Sequence, residues 1–215
     1  MFLPLTGGRL GRRFTQLVFG LILFGVGVGL MVQSELGNAP WDVLHQGLAR
    51  RIDAPWSTVG NWTIIVSVVV LLLWIPLRER YGIGTLMNAI MIGLTIDVVA
   101  RIVSVGDSLW YRWSLLLGGV LAVAIGSGFY IGAHLGPGPR DGLMTGISRR
   151  GPKIWTTRFA IEAGVFAAGW ALGGTVGVGT VVFVITIGPL VQFSLHHLTL
   201  PIAVPIGSPG GDGGS

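Results

Sequence analysis

Residues 27–51, GVGLMVQSELGNAPWDVLHQGLARR, recur without a gap as residues 126–150, GSGFYIGAHLGPGPRDGLMTGISRR. Ten of the 25 paired positions are identical, including the Gly, Pro and Asp of a shared L-G-x-x-P-x-D-x-L segment. Farther along the chain, GIGT at 82–85 recurs as GVGT at 177–180. Because the shared residues are largely Gly, Pro, Asp and Arg, apolar composition alone does not produce this match. The sequence therefore predicts two copies of one structural unit.

The residues around the repeat are typical of an integral membrane protein. Of the 215 residues, 51% are hydrophobic and only 11% are charged, against about 25% charged residues in soluble domains. Several stretches with few or no charges reach about 20 residues, the length of a helix that crosses a bilayer. We predict an all-α integral membrane fold with six transmembrane helices, over residues 14–34, 59–77, 83–105, 113–133, 156–175 and 178–198.

The number of spans in each copy predicts the topology. Three spans fall in each copy, so the second copy enters the membrane in the opposite sense to the first. The prediction is two inverted-topology three-helix repeats, at 14–105 and 106–200, as in many secondary transporters. A basic cytoplasmic N-terminal segment, 1–13, precedes them, and a flexible Gly-rich tail, 201–215, follows.

The distribution of basic residues predicts the orientation. With the N-terminus inside, ten of the 14 Lys and Arg residues fall on the inner side, Arg140 and Arg158 among them. This asymmetry favours cytoplasmic N- and C-termini in a multi-pass protein. The net charge of +5 does not indicate nucleic-acid binding, because the basic residues are scattered between apolar spans. The expected partner is the lipid bilayer, and a homo-oligomer is an open alternative.

The repeated segment also carries a family resemblance. LGNAPWDVL and LGPGPRDGL, followed by GIGT and GVGT, resemble the corresponding segments of the bacterial YczE/YyaS/YitT-like membrane proteins. The resemblance spans both halves of the chain. It implies an integral protein of the bacterial inner (plasma) membrane with five or six helices, and no agreed biochemical activity or substrate.

The L-G-x-x-P segment predicts a break between helices. Gly37 and Pro40, like Gly136 and Pro139, interrupt a helix, and Pro fits the first turn of the next one. Two interpretations stay open for the short helix that follows. It is an interfacial helix lying flat, with Asp42 complementing the positive end of its dipole, or a re-entrant half-helix whose N-terminus faces a cavity between the repeats.

The candidate ligand-binding residues are carboxylates and a histidine at equivalent repeat positions. In the re-entrant interpretation Asp42 and Asp141 form a symmetric pair that can bind a cation or a proton. Glu35 and His134 are also equivalent, and they either form a pair whose charge responds to pH or simply end their spans in the headgroup region. Ionisable groups at membrane depth are functional candidates because burying their charge is costly.

Two further candidates have a nearby partner of opposite charge. Asp97 and Arg101 are four residues apart, so on one helix they can neutralise each other. Glu162 lies one turn after Arg158 and is equally consistent with a structural or a functional role. No metal site or cofactor is predicted.

These observations favour a small-solute secondary transporter with its site between inverted repeats. The partner would be an unidentified small solute or ion. No spacing of nucleophile and base indicates an enzyme. The alternative is a non-transporting membrane scaffold or regulator. A transporter predicts that Asp42 and Asp141 share one buried cavity, whereas a scaffold predicts headgroup exposure about 30 Å apart, the hydrocarbon thickness.

Overall fold

The computed structural model describes residues 10–200, which form eight α-helices. Most of the predicted basic N-terminal segment and the whole predicted tail, 201–215, lie outside the described residues. The helices are α1 (Leu10–Ser34), α2 (Pro40–Arg51), α3 (Val59–Leu77), α4 (Ile83–Ile102), α5 (Leu109–Gly132), α6 (Pro139–Ser148), α7 (Ile154–Ala171) and α8 (Val178–Leu198).

Five of the helices in this range are long and apolar enough to cross a membrane: α1, α3, α4, α5 and α8. The apolar part of each has a mean hydropathy of 1.8 to 2.1. α7 is not among them, and its 18 residues include both Arg158 and Glu162. The fold is that of a helical membrane protein, with five helices rather than six meeting these criteria.

The two short helices, α2 and α6, begin in the same way. Ala39 and Gly138 precede them in an extended conformation, with φ and ψ of −63° and 153° and of −62° and 156°. Pro40 and Pro139 then occupy the first helical position, where proline lacks only an N–H that would have no partner inside the helix. Equivalent sequences therefore start equivalent helices.

The turns before these helices also match. Glu35 and His134 have φ values of 52° and 53°, and Gly37 and Gly136 have φ values of 123° and 127°. Positive φ is the region that favours glycine. Both copies thus reverse the chain with the same backbone geometry.

Each of these turns is bound to a helix of the other copy. The Gly179 N–H at the start of α8 donates to the Leu36 carbonyl oxygen at 2.7 Å. In the reciprocal contact, the Gly84 N–H at the start of α4 donates to the Leu135 carbonyl oxygen at 2.9 Å. The first N–H groups of a helix have no partner within it, so each copy satisfies orphan donors of the other.

Two arginines 99 residues apart make a second reciprocal contact. Arg13 Nε donates to the Ala133 carbonyl oxygen at 2.9 Å, just after α5. Arg112 Nε donates to the Ser34 carbonyl oxygen at 2.7 Å, at the end of α1. Each guanidinium satisfies a carbonyl at the end of the helix in the other copy, where a cation also complements the dipole.

The centre of the molecule is a close pair of antiparallel helices, α1 and α5. A Cβ on Gly27 would lie 2.6 Å from the Gly119 carbonyl oxygen, and one on Gly126 would lie 2.8 Å from that of Gly20. Small residues allow this approach of backbones. α4 packs on α1, and α8 packs on α5.

A tryptophan near the end of a membrane span is expected at the headgroup layer, but Trp74, near the end of α3, lies inside the bundle. Its side chain is fully buried against α6, where its ring lies over Gly142. The indole Nε1 donates to the Pro139 carbonyl oxygen at 3.0 Å. A partner for the N–H inside the bundle, and a glycine that leaves room for the ring, explain the difference.

The two copies differ in how their last two helices pack. α3 and α4 are in close contact at Gly60 and Gly93. α7 and α8, their equivalents, do not pack along one another. A Cβ on Gly188, the equivalent of Gly93, would have nothing within 4 Å. The bundle is therefore closed between α3 and α4 and open between α7 and α8.

Candidate functional site

A cavity of about 370 Å³ lies where the N-terminal ends of α2 and α6 meet. Its size is within the range of small-molecule pockets, about 300–1,000 Å³. The polar side chains around it include Trp41, Asp42, Asn88, Tyr130, Arg140 and Asp141. The apolar walls include Phe24, Val28, Ile92, Val123, Phe183 and Ile187. Asp42 and Asp141 therefore line one cavity.

An ion pair connects the two short helices inside this cavity. Asp42 is 3% exposed, and its Oδ1 lies 3.5 Å from Arg140 Nη2 and 3.4 Å from His45 Nδ1. The Arg140 guanidinium also lies over Trp41, 5.1 Å from the ring centroid, within the range of a cation–π contact. Trp41 and Arg140 occupy equivalent repeat positions, so the difference between the copies creates this contact.

Asp141 has different surroundings. The Tyr130 hydroxyl donates to Asp141 Oδ2 at a long 3.4 Å. Among the described residues Asp141 makes no ion pair, although Arg140 and Arg158 line the same cavity. Arg158 Nε is bound instead to Glu162 Oε1 at 3.0 Å, the pair that the sequence predicts.

Buried polar contacts hold α2 in place. His45 is fully buried, with Nδ1 3.1 Å from Thr63 Oγ1 on α3. Gln46 Oε1 accepts hydrogen bonds from Asn38 Nδ2 at 3.0 Å and from the Thr175 N–H at 2.7 Å. These contacts connect α2 to α3 and to the segment before α8, which fixes the position of its N-terminal end.

Of the two interpretations of Glu35 and His134, the one in which they form a pair is wrong. Glu35 forms ion pairs with Arg50 at 3.8 Å and with Arg112 at 3.7 Å. His134 is an exposed residue just after α5. Because α1 and α5 run antiparallel, residues that follow their C-terminal ends lie at opposite ends of the bundle.

The predicted pairing of Asp97 with Arg101 is also wrong. Asp97 Oδ2 accepts from Thr58 Oγ1 at 2.6 Å, and Asp97 Oδ1 accepts from the Gly60 N–H at 2.9 Å. Donors at the start of a helix have no partners within it, so the start of α3 holds this carboxylate more closely than the exposed Arg101 does.

A second cavity, of about 360 Å³, lies near the C-terminal half of α2. Its lining includes Glu35, Gln46, Arg50 and Asp97. Asp42, one turn before Gln46, lines the first cavity. α2 thus contributes to both cavities, with its first turn to one and its C-terminal half to the other.

Several residues of the site are not predicted from the sequence. Arg140 and Arg158 are predicted to lie on the inner side, yet both side chains line the first cavity. Tyr130 and Asn88 both lie within apolar spans. A search for polar residues at membrane depth would find Asn88 but not Tyr130. No group of three or more His, Asp or Glu side chains placed to hold a metal ion occurs between residues 10 and 200.

Comparison with known proteins places the chain. Residues 11–196 match a family described as a family of unknown function, DUF6198. The chain belongs to this family. It is 42% identical over 188 residues to an uncharacterized protein of Haemophilus influenzae, covering 86% of this chain and 84% of that protein.

Two Bacillus subtilis proteins extend the DUF6198 comparison. The chain is 34% identical over 188 residues to the uncharacterized membrane protein YczE, covering 85% of each. It is 28% identical over 200 residues to the uncharacterized protein YyaS, covering 85% of this chain and 90% of that protein. The predicted resemblance to YczE and YyaS is confirmed. No solved structure matches the chain.

Proposed function

We propose that this DUF6198 protein is a small-solute secondary transporter whose site is the cavity at the N-terminal ends of α2 and α6. The observation that carries the proposal is that Asp42 and Asp141 line one cavity. Transporters with inverted repeats place the solute at the repeat interface, often at the ends of broken helices. A scaffold with both segments lying flat would separate the two carboxylates by about 30 Å.

The proposed topology has six spans in two inverted repeats. The antiparallel packing of α1 and α5 and the reciprocal turns at Leu36 and Leu135 support it. α7 is the sixth span in this proposal. Its Arg158 and Glu162 neutralise each other, which reduces the cost of placing them at membrane depth. The distribution of basic residues then favours cytoplasmic N- and C-termini, in the plasma membrane that the family resemblance implies.

α2 and α6 are re-entrant half-helices in this proposal. They have 12 and 10 residues, so at about 1.5 Å per residue they extend about 18 and 15 Å, roughly half of a 30 Å hydrocarbon core. Trp41, Val43 and His45 of α2 and Leu143 of α6 are buried. Non-helical backbone at membrane depth is tolerated where it lies against protein or a water-filled cavity, and the turns at Gly37 and Gly136 are packed against α8 and α4.

The difference between the copies supports an alternating mechanism. The opening between α7 and α8 is the entrance in the conformation seen here, while α3 and α4 are closed at Gly60 and Gly93. If α7 and α8 closed while α3 and α4 opened, the cavity would be exposed to the other side of the membrane. The protein acts in this account by binding and moving a solute, with no catalytic step.

Access to the cavity from the two membrane faces tests the proposal. The chain has no Cys, so Ser127→Cys places a single thiol at the cavity, which Ser127 lines. Small membrane-impermeant methanethiosulfonate reagents are added to right-side-out and to inverted vesicles. A transporter is expected to be labelled from both faces.

Asp107→Cys is the matched control, since Asp107 is exposed between α4 and α5 and is predicted to lie outside. It should react from the outer face alone. Labelling of Ser127→Cys from neither face, with the control behaving as expected, would contradict a transporter and favour the scaffold.

A further inference from the structure

Among the described residues, the ion pairs around the cavity leave one carboxylate without a partner of opposite charge. Arg140 is paired with Asp42, and Arg158 is paired with Glu162. Asp141 makes no ion pair within residues 10–200. The charged residues that line the cavity are Asp42, Asp141, Arg140 and Arg158. Because Glu162, outside this lining, neutralises Arg158 and Asp42 neutralises Arg140, the Asp141 carboxylate is left without a paired cation in the described residues. A monovalent cation is the ligand charge that neutralises it.

Both carboxylates of the cavity have incompletely paired acceptor oxygens, and the buried Trp41 Nε1 is an unpaired donor beside them in the described residues. Asp42 Oδ1 is buried without a hydrogen bond in the described part of the chain, with His45 Nδ1 3.4 Å and Arg140 Nη2 3.5 Å away. Within residues 10–200, the one side-chain hydrogen bond that Asp141 accepts is the long bond from Tyr130. Buried acceptors without donors are costly, and an ammonium group offers three donors and no acceptor.

The walls of the cavity fit an organic cation better than a bare metal ion. Hard cations need six or more oxygen ligands around them, whereas the sides contributed by α1 and α8 are Phe24, Phe183 and Ile187. Phe24 packs edge-to-face on Tyr130 with centroids 5.9 Å apart. An aromatic lining accommodates an apolar body and also attracts a cation.

We infer that the solute is a monovalent organic cation, a protonated amine with an apolar body, whose charge is bound by Asp141 and Asp42 and whose body lies against the walls from α1 and α8. This inference rests on the proposed transport function and adds the substrate class. Helix N-termini generally favour anions, but Asp42 and Asp141 already occupy the first turns of α2 and α6. The opening between α7 and α8 gives such an amphiphile a lateral route from the bilayer.

Three small molecules of one shape and different charge test the inference. Phenethylammonium, phenylethanol and hydrocinnamate share a phenyl ring and a two-carbon chain, and they end in a cation, a neutral hydroxyl and an anion. Binding to the detergent-purified full chain is measured by isothermal titration calorimetry. Phenethylammonium is expected to bind at least tenfold more tightly than either of the others.

Asp141→Asn removes the unpaired charge without changing the side-chain shape, and it is expected to weaken phenethylammonium binding at least tenfold. The matched control is Asp107→Asn, which makes the same change on an exposed loop and should leave binding unchanged. If Asp141→Asn does not fold, the comparison of the three molecules on the parent protein still decides the question.

Tighter binding of hydrocinnamate, equal binding of all three molecules, or no binding of phenethylammonium would overturn the inference. None of these results changes what labelling of Ser127→Cys from both faces indicates. The protein could then still transport another class of solute. If phenethylammonium binds as expected while Ser127→Cys reacts from neither face, the cation site stands and the transport function fails.

Discussion

Gly37 and Gly136 show at single residues why the repeated turn needs its sequence. Both have φ near 125°, a region that side chains rarely adopt. A Cβ on Gly37 would lie 2.7 Å from the Gly177 backbone nitrogen, and one on Gly136 would lie 2.7 Å from Thr85 Oγ1. Backbone strain and close approach to the other copy therefore require glycine at both positions.

Gly37→Ala and Gly136→Ala are each expected to lower stability by about 1–3 kcal/mol, the usual cost of strained backbone. Thermal unfolding in detergent measures the effect. Gly118→Ala is the control, because a Cβ there meets nothing within 4 Å and alanine is favoured over glycine in a helix. Equal melting temperatures for all three variants would contradict the requirement for glycine at positions 37 and 136.

The arginines that join opposite helix ends support a second prediction. Arg13→Gln and Arg112→Gln are each expected to destabilise the protein by about 1.5–3 kcal/mol, the range for hydrogen bonds to charged groups. Arg12→Gln, a change at a neighbouring exposed residue, should have little effect in the same thermal unfolding measurement. A loss with Arg12→Gln as large as that with Arg13→Gln would contradict the role of the helix-end contacts.

At the scale of helices, the local sequence predicts where an element begins and ends. It does not predict as well which residues that element contacts. Pro40 predicts the start of α2, and Arg50 and Arg51 in its last turn complement the helix dipole, because these signals act within one or two turns. The burial of Trp74 is not predictable in this way, since it depends on Gly142 in a distant helix. The predicted partner of Asp97 is wrong for the same reason, because its partners in the structure, Thr58 and Gly60, lie at the start of α3.

The packing of α3 on α4 leads to a prediction with its own control in the other copy. A Cβ on Gly93 would meet the Gly60 carbonyl oxygen and Ile64, whereas one on Gly188 would meet nothing within 4 Å. Gly93→Ala is therefore expected to lower the melting temperature, and Gly188→Ala is not. A matching loss in both variants would indicate that α7 and α8 pack as closely as α3 and α4 do.

At the scale of the whole molecule, the repeat identifies Asp42 and Asp141 as related carboxylates, but only the fold shows that they line one cavity. The repeat also shows that the contact between Thr58 and Asp97 has no counterpart in the second copy, within the described residues. Thr157, the equivalent of Thr58, has a buried hydroxyl without a hydrogen bond in the described residues. Gln192, the equivalent of Asp97, is exposed on α8. Closure of α7 on α8 would bring these two side chains together.

Disulfide formation in this Cys-free chain tests most directly whether α7 closes on α8 in the way that α3 is closed on α4. Thr58→Cys with Asp97→Cys joins side chains already in contact, so oxidation should cross-link this reference pair rapidly. We expect Thr157→Cys with Gln192→Cys also to cross-link in native membranes, more slowly, because α7 and α8 must close first. Rapid cross-linking of the reference pair with none at all in the second pair would contradict the alternating mechanism.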